Sequence, residues 1–185
     1  EYWVEAIKDW NKKEFPQITN RDIKIDFDLN INRVFSLIGP RRAGKTFELL
    51  NIAKQISEKY GKDKTLYINF ERPDFGALNS LDLVLMLKTY YSLFPQNSGR
   101  KIWLFLDEIQ NVKEWEIFVR TCLDDGIKVF ISGSSSKLLS KEVATSMRGR
   151  NLAYSIFPLS FKEFLFFKNF QPQKAYSSGE KAQLL

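Results

Sequence analysis

The chain has 185 residues, 44% of them apolar, with a net charge of +6 and a pI near 9.3. That length and apolar content fit one globular domain with a substantial core and exclude a disordered chain. There is no His, which removes His-ligated metals and His-based acid–base chemistry, and the lone Cys122 excludes an intrachain disulfide. A single thiol fits a reducing, cytoplasmic setting. No leader pattern opens the sequence and no apolar run nears the roughly 18 residues of a membrane span, so no membrane contact is expected. Because it opens on Glu1 rather than Met, the sequence reads as a trimmed piece. Its Lys residues are scattered rather than gathered on one face, which leaves a basic DNA-facing patch open as a reading.

Residues 2–13 set Trp3, Ile7 and Trp10 among charges at helical spacing, predicting an amphipathic helix ended by Pro16. Arg21 to Phe27 alternates Ile23, Ile25 and Phe27 with polar residues, predicting a half-buried lead-in strand. Arg33 to Ile38 is a short apolar, β-branched run of the kind that forms a buried parallel strand. It leads into Gly39-Pro40-Arg41-Arg42-Ala43-Gly44-Lys45-Thr46, a full match to the phosphate-loop pattern GxxxxGK[ST]. Gly39 and Gly44 are expected to permit a tight, φ-positive backbone whose N–H groups face phosphate oxygens. Lys45 offers a compact positive charge to the β- and γ-phosphates, and Thr46 offers a hydroxyl to Mg²⁺. The next helix, predicted from Thr46 to Tyr60 with Gly61 as its stop, adds its positive N-terminal end.

Lys64 to Phe70 predicts a further strand, residues 80–94 an apolar helix ending near Pro95, and residues 96–99 a polar loop. Lys101 to Leu106 is a second buried run, and it ends in Asp107-Glu108. Carboxylates at the carboxyl end of a buried strand lie where open α/β sheets bind ligands. There Asp107 would hold Mg²⁺ through water, and Glu108 would orient or deprotonate an attacking water. The competing reading is an acidic N-cap on the following helix. Glu114–Leu123 is predicted helical. Ile127 to Ile131 is a buried strand running into Ser132-Gly133-Ser134-Ser135-Ser136, and Leu152 to Phe157 is the last strand. Phe157, Phe161, Phe164, Leu165, Phe167 and Phe170 follow at nearly helical spacing, expected as core or as a domain contact.

Repeated strand–helix units with right-handed crossovers predict an α/β P-loop NTPase, a parallel five-stranded sheet with helices on both faces. One predicted strand intervenes between the phosphate-loop strand and the acid-bearing strand. Together with Glu108 this points to the additional-strand, catalytic-glutamate division rather than to kinases or small GTPases. Residues 1–32 are expected to form the N-terminal helix and lead-in strand, and 33–160 the P-loop core. No internal repeat is present, and no guanine-reading Asn-Lys-x-Asp set.

The phosphate loop, then Tyr67-Ile68-Asn69-Phe70-Glu71, then Leu104-Phe105-Leu106-Asp107-Glu108-Ile109-Gln110-Asn111-Val112 resemble the archaeal and bacterial AAA-type ATPase family. So do Ile131-Ser132-Gly133-Ser134-Ser135-Ser136-Lys137-Leu138-Leu139, Arg148-Gly149-Arg150 and Phe157-Pro158-Leu159-Ser160-Phe161-Lys162-Glu163-Phe164. The similarity holds in order from about residue 17 to 168. It implies an AAA-type core using ATP and Mg²⁺, with residues 161–185 beginning a C-terminal region of poorly defined function that often contains a winged-helix-like part.

The resemblance also implies residue roles. Ser132 and Ser134 stand where this class places a polar sensor of the γ-phosphate; the alternative is a Ser-Gly turn capping the next helix. Arg148 and Arg150 precede the last strand, where AAA-type ATPases often carry an arginine finger for a neighbouring subunit's nucleotide. The alternative is a solvated Arg pair. Asn69 could hydrogen-bond Glu108 and hold it inactive, or it is a turn residue. The expected function is Mg²⁺-dependent ATP hydrolysis. An ATP-binding switch or scaffold with little turnover and a DNA-stimulated motor are the other two readings. Beyond nucleotide, the expected partners are further copies of the chain and a DNA or protein client met through the C-terminal region.

Overall fold

The computed structural model describes residues 2–16, 21, 25–26, 32–134, 138, 145, 147 and 149–168. Five parallel strands form the main sheet in the order β2 (Thr65–Asn69), β4 (Trp103–Asp107), β6 (Lys128–Gly133), β1 (Val34–Ile38), β7 (Asn151–Ser155). Every residue of β1, β4 and β6 is buried, so both faces of the sheet are covered. Helices α1 (Tyr2–Lys12), α2 (Lys45–Tyr60), α3 (Ser80–Leu93) and α4 (Trp115–Asp124) supply the cover. A two-stranded parallel ribbon, β3 (Leu78–Asn79) with β5 (Val112–Lys113), lies apart from the main sheet.

The abundance of Phe has a use in the sheet. Phe105, Phe130 and Phe35 sit in register on neighbouring strands, with ring centroids 5.0 and 4.7 Å apart and planes within 16° of parallel. Tyr154 of β7 extends the stack 6.4 Å beyond Phe35. A ladder of rings therefore ties four adjacent strands through one face. The strand order has a second consequence. From β1 the chain passes through α2 to β2 on the far side, skipping two strand positions, and this opens a crevice at the carboxyl edge of the sheet.

The N-terminal helix belongs to this body. Trp3, Ile7 and Trp10 are buried, and the Trp10 indole donates to the Thr65 carbonyl at 2.9 Å. Of the predicted lead-in strand, residues 22–24 and 27 lie outside the described residues, while Arg21, Ile25 and Asp26 are not in strand. Ser135, Ser136 and Arg148 also lie outside the described residues. The C-terminal aromatic run forms the short helix α5 (Phe161–Phe167), opened by a Ser160/Glu163 capping box. Of the run expected as core or as a domain contact, Phe157, Phe161, Phe164 and Phe167 are 67, 67, 45 and 42% exposed, so they are not core in this chain, and Phe170 lies outside the described residues. The reason is position, since α5 follows edge strand β7 and keeps these rings turned outward.

Candidate active site

The phosphate loop leaves β1 at the carboxyl edge and enters α2 at Lys45. Its two terminal glycines do different work. Gly44 adopts φ 94°, a left-handed backbone that favours glycine. Gly39 is needed for space instead, since a Cβ there would stand 2.0 Å from the Ile156 carbonyl oxygen. The Ile156 N–H donates to the Ile38 carbonyl at 2.7 Å, so the loop is pinned against the end of β7. Arg42 also takes positive φ, 64°, which turns the loop back on itself.

Lys45 is only 7% exposed. Its ammonium donates to the Gly39 and Pro40 carbonyls at 3.2 and 3.1 Å and lies 3.7 Å from the Glu108 carboxylate. Arg41, Arg42, Gly44, Lys45, Thr46, Phe47, Glu71, Glu108 and Ser134 line a cleft of about 680 Å³. The cleft therefore gathers three cationic side chains, a helix N-terminus and two carboxylates.

Asp107 ends β4 and is completely buried. The Tyr67 hydroxyl donates to its Oδ2 at 2.7 Å, and the Ser132 hydroxyl donates to its Oδ1. Burial, with the neighbouring Asp107 charge, pushes the Tyr67 phenol far above its ordinary range, so it remains a donor. Ser132 also accepts the Glu108 backbone N–H at 3.0 Å. That hydroxyl is thus committed between the two acids, and of the two candidate sensor serines only Ser134 lines the cleft. Glu108 has φ 54°, an uncommon backbone for a side-chain-bearing residue, of the sort that concentrates at active sites.

Asn69 does not touch Glu108: its Oδ1 accepts the Glu71 N–H at 2.8 Å, a turn closed within two residues. The Glu108 carboxylate is instead bound by the Gln110 amide at 2.5 Å. Arg150 pairs with Asp124 at 2.6 Å, and its carbonyl accepts the Val34 N–H at 2.9 Å, at the amino end of β1. It therefore lies at the opposite edge of the sheet from the phosphate loop.

Mg²⁺ takes hard oxygen ligands, keeps several waters and leans on substrate phosphates. Thr46 lines the cleft and its hydroxyl suits that demand, whereas Asp107 has the right oxygen chemistry but is fully buried and does not line the cleft. Among the described residues no cluster of three His, Cys, Asp or Glu could cage a metal without the nucleotide.

Arg21 carries no motif signal, yet it ties the loop to the C-terminal segment. Its guanidinium donates to the carbonyls of Ala43 and Phe157, each at 2.8 Å, and to Glu163 at 3.1 Å. That contact, with the Ser160 N–H, holds the Glu163 carboxyl down at about 2.

A phosphate loop, an acid pair at the end of a buried strand and this strand order define an AAA-type P-loop ATPase core. The sequence model of the AAA domain family matches residues 31–165, and the chain belongs to that family. Uncharacterized protein MJ1544 of Methanocaldococcus jannaschii is 48% identical over 169 residues, 91% of this chain and 36% of its own length. An uncharacterized protein of Haemophilus influenzae is 34% identical over 150 residues, covering 77% of this chain and 37% of its own. The chain thus spans about a third of the length of these curated relatives. The solved AMPPCP-bound DnaA of Aquifex aeolicus aligns at TM-score 0.48 and 16% identity, over 94% of this chain and 52% of that one. No described helix is long and apolar enough to cross a membrane.

Proposed function

We propose that this domain binds Mg²⁺-ATP in the cleft and hydrolyses it to ADP and phosphate. One observation supports the reading most directly: the buried Lys45 ammonium and the Glu108 carboxylate face each other 3.7 Å apart in one cleft. A cation for the transferring phosphoryl group and a base for water are the two groups such hydrolysis needs from side chains.

Residues 39–44 and the first turn of α2 present N–H groups to the phosphates. Lys45 exchanges its loop carbonyls for the β- and γ-phosphate oxygens. The Thr46 hydroxyl and the Asp107 carboxylate would hold Mg²⁺, which would neutralise phosphate charge when bound. Tyr67 and Ser132 fix Asp107 by occupying one lone pair on each oxygen. Glu108 orients the attacking water and takes its proton. Ser134 offers a hydroxyl to the γ-phosphate or to that water. Arg148 or Arg150 acts as a finger toward a second copy's nucleotide.

Equilibrium ATP binding and single-turnover phosphate release, measured side by side, test the reading. Retained binding with turnover lowered by roughly 10²–10⁴-fold in E108Q supports it. Tight binding with no phosphate release from the unaltered protein overturns hydrolysis in favour of a nucleotide-holding switch.

A further inference from the structure

We infer that Gln110 is a positioning residue that aims Glu108 into the cleft, an inference resting on Glu108 being the base. The Gln110 Nε2 donates to Glu108 Oε2 at 2.5 Å, so one carboxylate oxygen is anchored. The other, Oε1, stands 3.7 Å from the Lys45 ammonium, beyond hydrogen-bond distance, in the cleft that Glu108 lines. One oxygen is fixed and the other is left to accept from water. Free rotation of the carboxylate would spoil that division of labour.

The surroundings are shaped to hold the amide. Gln110 sits in a single 3-10 turn, Ile109–Asn111, stapled at its end by the Asn111 amide donating to the Phe70 carbonyl at 3.2 Å. Its Oε1 lies against Gly133, where a Cβ would stand 2.2 Å from Oε1 and 2.9 Å from Leu138 Cδ1. Glycine at 133 thus makes the slot. Within it Oε1 is buried and meets no hydrogen-bond donor among the described residues. A solvent-facing Gln would satisfy both ends of its amide. Among the described residues this one leaves the acceptor unmatched while its donor is placed on Glu108. The amide orientation follows from the carboxylate, which accepts and cannot donate when ionised.

The test uses Q110M, which keeps length and volume but removes the donor, beside E108A and the unaltered protein. Q110M should lower kcat for ATP by about 10–100-fold while KM stays within twofold, because only aim is lost. Without nucleotide, one Gln110 side-chain N–H proton should lie downfield in a 15N-correlated spectrum, and E108A should return it to the position of a free amide. G133A should reproduce Q110M, and the double variant should be no slower than the worse single one. A Q110M kcat within twofold of the unaltered protein, or above it, overturns the inference. So does a Gln110 amide proton that E108A leaves in place. If E108A hydrolyses ATP normally, the base assignment fails and this inference with it. If E108A is inactive while Q110M is normal, the base stands and only the role of Gln110 falls.

Discussion

Lys45 and Glu108 carry opposite charges in a site where Lys45 is nearly buried, and each has a different task to lose. On the proposed reading Lys45 anchors the phosphates, so K45A is expected to abolish ATP binding by calorimetry. E108Q keeps the shape of the site, so ATP should bind with unaltered affinity while hydrolysis falls by roughly 10²–10⁴-fold. Tyr67 lies deeper. Y67F deletes one of two hydroxyl donors to fully buried Asp107 and leaves a carboxylate oxygen short of a partner. The expected loss is about 1–3 kcal/mol of stability by urea unfolding, with the midpoint lowered and the slope unchanged.

Two elements meet at the phosphate loop from opposite ends of the chain. Arg21 donates to the loop carbonyl of Ala43 and to Glu163 of α5, residues 22 and 142 positions away. Glu163 titrates at about 2 rather than at the ordinary 4.5, because Arg21 and the Ser160 N–H bind its charged form. A carboxyl lowered in the folded state stabilises above its ordinary value, and that contribution fades as pH falls through the lowered one. The protection of the α5 amides, taken relative to the intrinsic exchange rate at each pH, should therefore stay high near pH 5 and fall toward pH 2, whereas E163Q should show the low protection at both. Within the sheet, Phe130 is sandwiched between Phe35 and Phe105. F130A should cost about 3–5 kcal/mol, since a ring is lost from a fully buried ladder that cannot collapse around it.

At the scale of the whole molecule, the position of Arg150 sets what a finger could do. It precedes β7 and bonds to the amino end of β1, whereas the phosphate loop follows the carboxyl end of that strand, roughly 15 Å further on. An Arg150 finger must then reach another copy's site. The expected outcome is an ATPase rate per subunit that rises with protein concentration. R150A and K45A, each inactive alone, should regain activity when mixed. No rescue would leave Arg150 as the structural partner of Asp124.

The phosphate loop and the Asp107-Glu108 pair are legible in the chain because each is a local pattern: a run of apolar residues ending in groups whose chemistry needs a strand end. The parallel strands, α2 and its Gly61 stop are legible for the same reason, as hydrophobic period and turn chemistry act over a few residues. The pairings that make the site work are long-range. Tyr67 and Ser132 meet Asp107 across 40 and 25 positions only because β4 lies between β2 and β6. Arg21, read from its alternating neighbours as part of a strand, is a tie to the loop because the fold returns residues 157–163 to it. By position Asn69 is a candidate partner for Glu108, but its side chain closes its own turn and the carboxylate is bound by Gln110 instead. Gly39 shows the division in one residue. Its identity follows from the motif, while its reason, the Ile156 carbonyl oxygen standing where a Cβ would have to go, exists only once β7 has been laid beside β1.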